Sequence, residues 1–214
     1  MNISAAEILR ALSWRYAVKT FDPAKNMSDE DLHTILESGR LAPSSVGLEP
    51  WKFIVVDDPE VRAKLREASY GQSKVTDAAR LIVIAARTDA ERLSDELIAR
   101  TSKAQGKSPE ELAPLRQMAE GSISAKPAGV ARNGWLAAQT YIALGVMLET
   151  ASLLGIDAGP MEGFDADKVD GVLGLKEKNL HAATMLALGY RGDDAFAALP
   201  KTRRPFDEAV EFVA

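Results

Sequence analysis

Cysteine is absent from the 214-residue chain, and histidine occurs only twice, at His33 and His181. A disulfide framework, a thiolate nucleophile and a cysteine metal site are therefore excluded, and a histidine-rich metal site has too few ligands. Positive charge is in deficit: 26 Lys and Arg stand against 31 Asp and Glu, a formal net charge of -5. A broad nucleic-acid surface needs a basic face, so nucleic acid is not expected as a partner. No Gly-x-Gly-x-x-Gly follows a strand pattern, and neither Gly-x-x-x-x-Gly-Lys-Ser/Thr nor Gly-x-Ser-x-Gly occurs. A dinucleotide fold, a phosphate loop and a hydrolase elbow thus have no sequence support.

No signal peptide is expected from the N-terminal residues. Met1-Asn2-Ile3-Ser4-Ala5-Ala6-Glu7 lacks the basic start and long apolar run of a signal peptide, and a cytoplasmic location is expected. Residues 134–156 are largely apolar and long enough to span a bilayer. They also hold Gln139 and Glu149, and a central acidic residue costs about 2.5–3.5 kcal/mol on insertion. We read this run as a buried helix, in the core or at a subunit interface, and expect no membrane span.

What is present fits a globular chain of one domain, residues 1–214, able to bury roughly 70% of its unfolded surface. Ser4 with Glu7 is a capping-box pattern ahead of Ile8, Leu9 and Leu12 at helical spacing. Ser28 opens a second helix that ends near Gly39. Residues 51–56 read as a buried strand stopped by Asp57-Asp58-Pro59, and 81–84 as a second strand after a helix at about 60–69. Residues 90–126 are polar and helical in pattern, with Ser108-Pro109-Glu110-Glu111 as the clearest helix start. After the long apolar helix comes a short segment to Pro160, a helix over 165–173 and a third strand over 182–188. This mixture predicts an α+β chain, a mixed α/β sandwich. Pro200 and Pro205 forbid a continuous helix in the tail, so 199–214 is expected to be extended at least in part, seeking a surface that belongs to another subunit.

Positive residues gather at two distant places: Arg15 and Lys19 follow the first helix, and Lys201, Arg203 and Arg204 crowd the tail. Singly, each reads as a surface salt-bridge partner. Spacing does not show whether the clusters meet; together they would suit a phosphate monoester, which arginine binds with two parallel hydrogen bonds.

Arg15-Tyr16-Ala17-x-Lys19-x-Phe21-Asp22-Pro23-x-Lys25, Pro43-Ser44-Ser45-x-Gly47-Leu48-x-Pro50-Trp51 and Pro160-Met161-Glu162-Gly163-Phe164-Asp165 resemble segments of the bacterial oxygen-insensitive NAD(P)H nitroreductases, in particular the branch described as dihydropteridine reductases. With Leu199-Pro200-Lys201-Thr202-Arg203-Arg204-Pro205 they run in register over about residues 8–206. The resemblance implies a nitroreductase-like fold: a mainly antiparallel central sheet flanked by helices, in an obligate homodimer with a swapped C-terminal tail. It implies FMN as cofactor and NADH or NADPH as co-substrate. Hydride would pass through flavin N5 by ping-pong kinetics to small planar acceptors such as nitroaromatics, quinones or pterins. The 90–130 region would line the substrate entrance.

The same resemblance gives the residues. Arg15, Lys201 and Arg203 would grip the FMN phosphate, and Lys19 and Lys74 would lie near the pyrimidine edge. Ser44 and Ser45 would contact the flavin from the neighbouring subunit, while the Glu162 and Gly163 backbone would face N5. Tyr16, Ala17, Pro43, Gly47, Gln72, Pro160 and Met161 complete the expected cofactor shell, with no side chain needed as an acid or base. Ala17 stands where many members have a phosphate-binding serine, a loss of about 1 kcal/mol. Gly47, Glu49 and Gly71-Gln72 depart from a frequent asparagine, glutamine and asparagine. Other flavin chemistry on this fold, such as enone reduction or dehalogenation, and a non-catalytic flavin carrier remain as alternatives.

Overall fold

The computed structural model describes residues 3–213. Met1 and Asn2, the start of the stretch read for a leader, and Ala214, the last residue of the tail, lie outside the described residues. The order begins α1 (Ala5–Trp14), α2 (Asp29–Arg40), β1 (Trp51–Val55), α3 (Pro59–Ala68), α4 (Lys74–Asp77) and β2 (Arg80–Arg87). It continues with α5 (Ala90–Gln105), α6 (Ala113–Ser124), α7 (Val130–Leu153), β3 (Asp157–Met161), α8 (Ala166–Leu173), β4 (Leu180–Gly189) and α9 (Phe206–Ala209).

The strands form one antiparallel sheet in the order β1-β2-β4-β3. Side chains alternate across the pleat, so each central strand feeds two cores. Leu81, Val83 and Ala85 of β2 pack with Leu65, Val75 and Val169 on the face covered by α3, α4 and α8. Ile82 and Ile84 point the other way, to Ile35 of α2 and Met147 and Ala151 of α7. A smaller core joins α5, α6 and α7 through Leu93, Leu97, Ala119, Ile123 and Leu136, beneath Leu48. The architecture is α+β, helices on both faces of an antiparallel sheet, as expected.

Local chemistry explains several helix starts. Ser4 and Glu7 form the reciprocal capping box, and Ser28 caps α2 by accepting from Asp31 N at 3.0 Å. Three expectations change. Residues 157–161 are a fourth strand rather than a connecting segment. Pro160 is tolerated there because β3 is an edge strand whose one strand neighbour is β4. β1 is the opposite edge and is only partly buried. Ser108 does bond Glu111 reciprocally, yet α6 starts at Ala113. Pro114 has no N–H to donate to Glu110 O, so the turn begun at Ser108 cannot run on as one helix.

Helix α7 is, among the described residues, the one helix long and apolar enough to cross a membrane. One of its sides is in the cores while Tyr141 and Ile142 are exposed on the other. The tail is extended apart from the single turn of α9, with Phe206 and Phe212 exposed.

Candidate functional site

The segment after α1 lies along the edge strand β3. Val18 N donates to Ala158 O at 3.2 Å, closing the free edge that β3 would otherwise present. Close approach depends on Gly159, where a Cβ would stand 2.9 Å from Val18 O. Asp194, nearly buried, fixes the same segment: its carboxylate accepts from Lys19 N at 2.7 Å, Thr20 N at 3.2 Å and Phe196 N at 3.0 Å. Arg191 adds a third tie. Its guanidinium lies between the rings of Trp14 and Tyr16, 4.6 and 4.7 Å from their centroids, and donates from Nε to buried Asp157 at 2.8 Å. Burial and the Asp194 carboxylate push the Tyr16 phenol up to about 12.

At one end of this ridge is a cavity of about 580 Å³, lined among others by Trp14, Arg15, Tyr16, Ala17, Arg191, Lys201 and Arg203. The two basic clusters therefore do meet. Lys201 reaches back to the last carbonyls of α1, donating to Leu12 O at 2.6 Å and to Arg15 O. Arg15 Nε is buried without a hydrogen-bond partner. Burial, then the nearby Arg203 charge, holds the Arg15 guanidinium below its ordinary pKa. Lys201 is lowered by burial and by Arg15 and Arg203.

Lys74 lies farther along, its Cδ 3.4 Å from where a Gly159 Cβ would be. The residue is only 4% exposed, and its pKa falls to about 8 through burial and the Lys19 charge. Among the described residues, none of Arg15, Lys19, Lys74, Lys201 and Arg203 pairs with a carboxylate. Uncompensated cations held together in a fold raise its energy, and an anion would lower it.

Past Pro160 and Met161 the chain leaves β3 in an exposed turn at Glu162 and Gly163. Gln72 Nε2 donates to Gly163 O at 2.7 Å, and Tyr141 Oη of α7 donates to Glu162 Oε1 at 2.8 Å. Arg191, Val18, Lys74 and this turn thus meet β3 in order from Asp157 to its far end. Five strand steps at about 3.3 Å each make roughly 16 Å.

The Pro43-Ser44-Ser45-Val46-Gly47 loop stands apart from this ridge. Ser45 N donates to Gln139 Oε1 at 2.8 Å, Ser44 Oγ accepts from Glu49 N at 2.8 Å, and Arg100 of α5 donates to Gly47 O. Gln139 and Tyr141 are two residues apart on α7, about 200° around the helix, so α7 separates the loop from the Glu162 turn. Val46 has φ 55° and Glu49 φ 49° beside Gly47 at 71°. A β-branched residue in this region is strained, a condition found at functional loops.

Asp157, Arg191, Asp194, Gln139 and Tyr141 were not among the expected site residues. Gln139 had a signal, as a lone amide inside an apolar run. The others act through partners 34 to 175 positions away for Asp157–Arg191 and Asp194–Lys19, and no local pattern encodes such pairs.

The family model described as "Nitroreductase family" matches residues 12–190. YfkO of Bacillus subtilis, provisionally named an NAD(P)H nitroreductase, is 38% identical over 97% of both chains. SH0546 of Staphylococcus haemolyticus, named in the same way, is 36% identical over the full length of both. Among solved structures, the nitroreductase ydfN of Bacillus subtilis aligns with a TM-score of 0.86 at 22% identity, covering 98% of this chain and 100% of that one. A nitroreductase of Exiguobacterium sibiricum, solved with FMN, gives 0.79 at 24% identity over 100% and 99%. Full-length identity well above 30% and a family match across most of the chain agree with the antiparallel sheet described above: the chain belongs to the nitroreductase family.

Proposed function

We propose that the chain is an FMN-dependent NAD(P)H oxidoreductase that reduces small planar acceptors, nitroaromatics, quinones or pterin-like compounds. The observation that carries this reading is the unpartnered, buried Arg15 Nε beside Lys201 and Arg203 at the cavity. A phosphate monoester suits that donor set, each charge-assisted hydrogen bond contributing roughly 1.5–3 kcal/mol. Ala17 supplies no hydroxyl there, so the three cations carry the grip. The ordered sequence of cation cavity, buried Lys74 and free turn along β3 suits an extended mononucleotide with its phosphate at Arg15 and its ring toward Glu162.

Bound FMN supplies a two-electron carrier between NAD(P)H and the acceptor. The protein's own share is electrostatic and geometric. Lys74 is a buried cation in place before binding, with the Lys19 charge nearby, and together they favour negative charge on the ring with little solvent reorganisation. Gly163 offers backbone with no side chain in front of it. Asp194 and the Asp157–Arg191 pair hold the Arg15–Lys19 segment in place.

A homodimer follows from the same reading. The Ser44–Ser45 loop would serve the partner's cofactor, since α7 stands between it and its own chain's ridge. The exposed apolar side of α7 and the exposed Phe206 and Phe212 of the tail would find cover on the second subunit. Residues 90–130 would border the substrate entrance within a single domain of residues 1–214, and the protein would work in the cytoplasm. Purified protein should be yellow, and anaerobic NADH or NADPH should bleach its flavin band, with colour restored by a nitroaromatic or quinone. Colourless protein that takes up no FMN, or a flavin that neither dinucleotide bleaches, would remove the proposal.

A further inference from the structure

The exposed Glu162–Gly163 turn is tied from three sides. Tyr141 Oη reaches the Glu162 carboxylate from α7 at 2.8 Å. Gln72 Nε2 divides its two donor positions between Gly163 O at 2.7 Å and Ser69 O at 3.1 Å. Phe164 N closes onto Glu162 O at 3.0 Å, and Asp165 N onto Ala68 O at 2.8 Å. In contrast, the N–H groups of Glu162 and Gly163 donate to no protein acceptor among the described residues. The ties made to Glu162 and Gly163 themselves all engage their oxygens, and their two backbone donors stay open.

Hydrogen bonds on an exposed turn contribute little to stability, about 0.5–1.5 kcal/mol each. Placement matters more, because a shift of 1 Å in a reacting group can cost roughly 10²-fold in rate. Burial and Glu162 push the Tyr141 phenol up to about 12, so it remains a donor throughout the neutral range. Gln72 was expected to touch the cofactor directly. Its amide N–H groups are taken by main-chain carbonyls, so it also serves as a brace for the turn.

We infer that Tyr141 and Gln72 are positioning residues, which hold the Glu162–Gly163 turn so that its free N–H groups meet the redox-active edge of the cofactor. This rests on the flavin reading of the preceding subsection, which turns the ring toward Glu162. Without Tyr141 the Glu162 carboxylate is released and the turn keeps only the Gln72 and backbone ties.

The test uses full-length protein reconstituted with FMN carrying 15N at N5. If wild-type protein takes up no FMN, the flavin reading fails. If it does, the N5 resonance decides the present inference. Tyr141→Phe should shift that resonance, slow anaerobic flavin reduction about tenfold and leave the FMN Kd within about twofold, because the phosphate end is untouched. An N5 resonance identical to wild type overturns the inference, and a lower Tm or weaker FMN binding alongside it would assign Tyr141 to packing alone. Should Tyr141→Phe not fold, Glu162→Gln and Glu162→Leu replace it. The glutamine still accepts from Tyr141 and should keep the wild-type resonance, whereas the leucine should shift it; identical spectra for the two would overturn the positioning role.

Discussion

Raising the pH should stabilise the flavin-free protein, and Lys74 is the reason. The residue is 4% exposed and feels the Lys19 charge, with no carboxylate partner among the described residues. At about 1.4 kcal/mol per pKa unit, the fall from 10.5 to about 8 corresponds to roughly 3 kcal/mol. The direction follows from proton counts. Between pH 8 and 10.5 the unfolded chain keeps a proton on this lysine that the folded chain has released, so stability climbs with pH across that window. Below pH 8 both states are charged and the full penalty stands. Lys201 is also lowered and adds in the same direction. Tyr16 and Tyr141, both raised to about 12, act oppositely once the unfolded phenols ionise near 10, which sets the upper end of the useful range.

Between pH 7 and 10 the expected gain is about 2–3 kcal/mol. Urea unfolding followed by far-UV circular dichroism measures it, at one fixed protein concentration because the stability of the proposed dimer would depend on concentration. Lys74→Met should be more stable than wild type at pH 7 by a similar amount and should lack most of the climb. Bound FMN should reduce the climb in wild type, since an anionic ligand favours the charged lysine. Wild-type stability that is flat or falling over this range, or a Lys74→Met variant with an undiminished climb, would refute the reasoning.

Two further outcomes concern cofactor retention. Arg203→Ala removes one of three cations at the proposed phosphate cavity and should cost about 2 kcal/mol of FMN binding, roughly a 30-fold rise in Kd by fluorescence titration, with hydride transfer little changed in molecules that keep the flavin. Flavin content unchanged after dialysis would contradict the phosphate role. Gly159→Ala places a Cβ 2.9 Å from Val18 O, a backbone atom that cannot swing aside, so the Arg15–Lys19 segment must shift. A loss of about 1–3 kcal/mol in thermal unfolding, with weaker FMN binding, is expected; a variant with unaltered Tm and Kd would show that the segment is not held by this contact.

Much of the fold was legible because its signals are local. Ser4 with Glu7 and Ser28 announce helix starts through side chains that satisfy backbone N–H groups within three residues. The apolar runs at 81–84 and 182–188 announce strands buried on both faces. The failures also have physical causes. β3 was hidden because Asp157-Ala158-Gly159-Pro160-Met161 carries small residues and a proline, none of which favours a strand. It exists because β4 on one side and residue 18 on the other supply its hydrogen bonds. Ser108 misled because its cap formed while Pro114, six residues on, withheld the next helical donor.

For the site, the chain alone fixed which charges exist, that no cysteine chemistry is available, and that short segments far apart carry the family's residue types. It could not fix that Arg15 and Lys201 share one cavity, that Arg191 sits between Trp14 and Tyr16 while paired with Asp157, or that Lys74 is stripped of water beside Lys19. Those facts arise from closing long loops, residue 15 against 201 and residue 19 against 194, and the energy of such contacts depends on burial and neighbouring charge that only the folded chain creates.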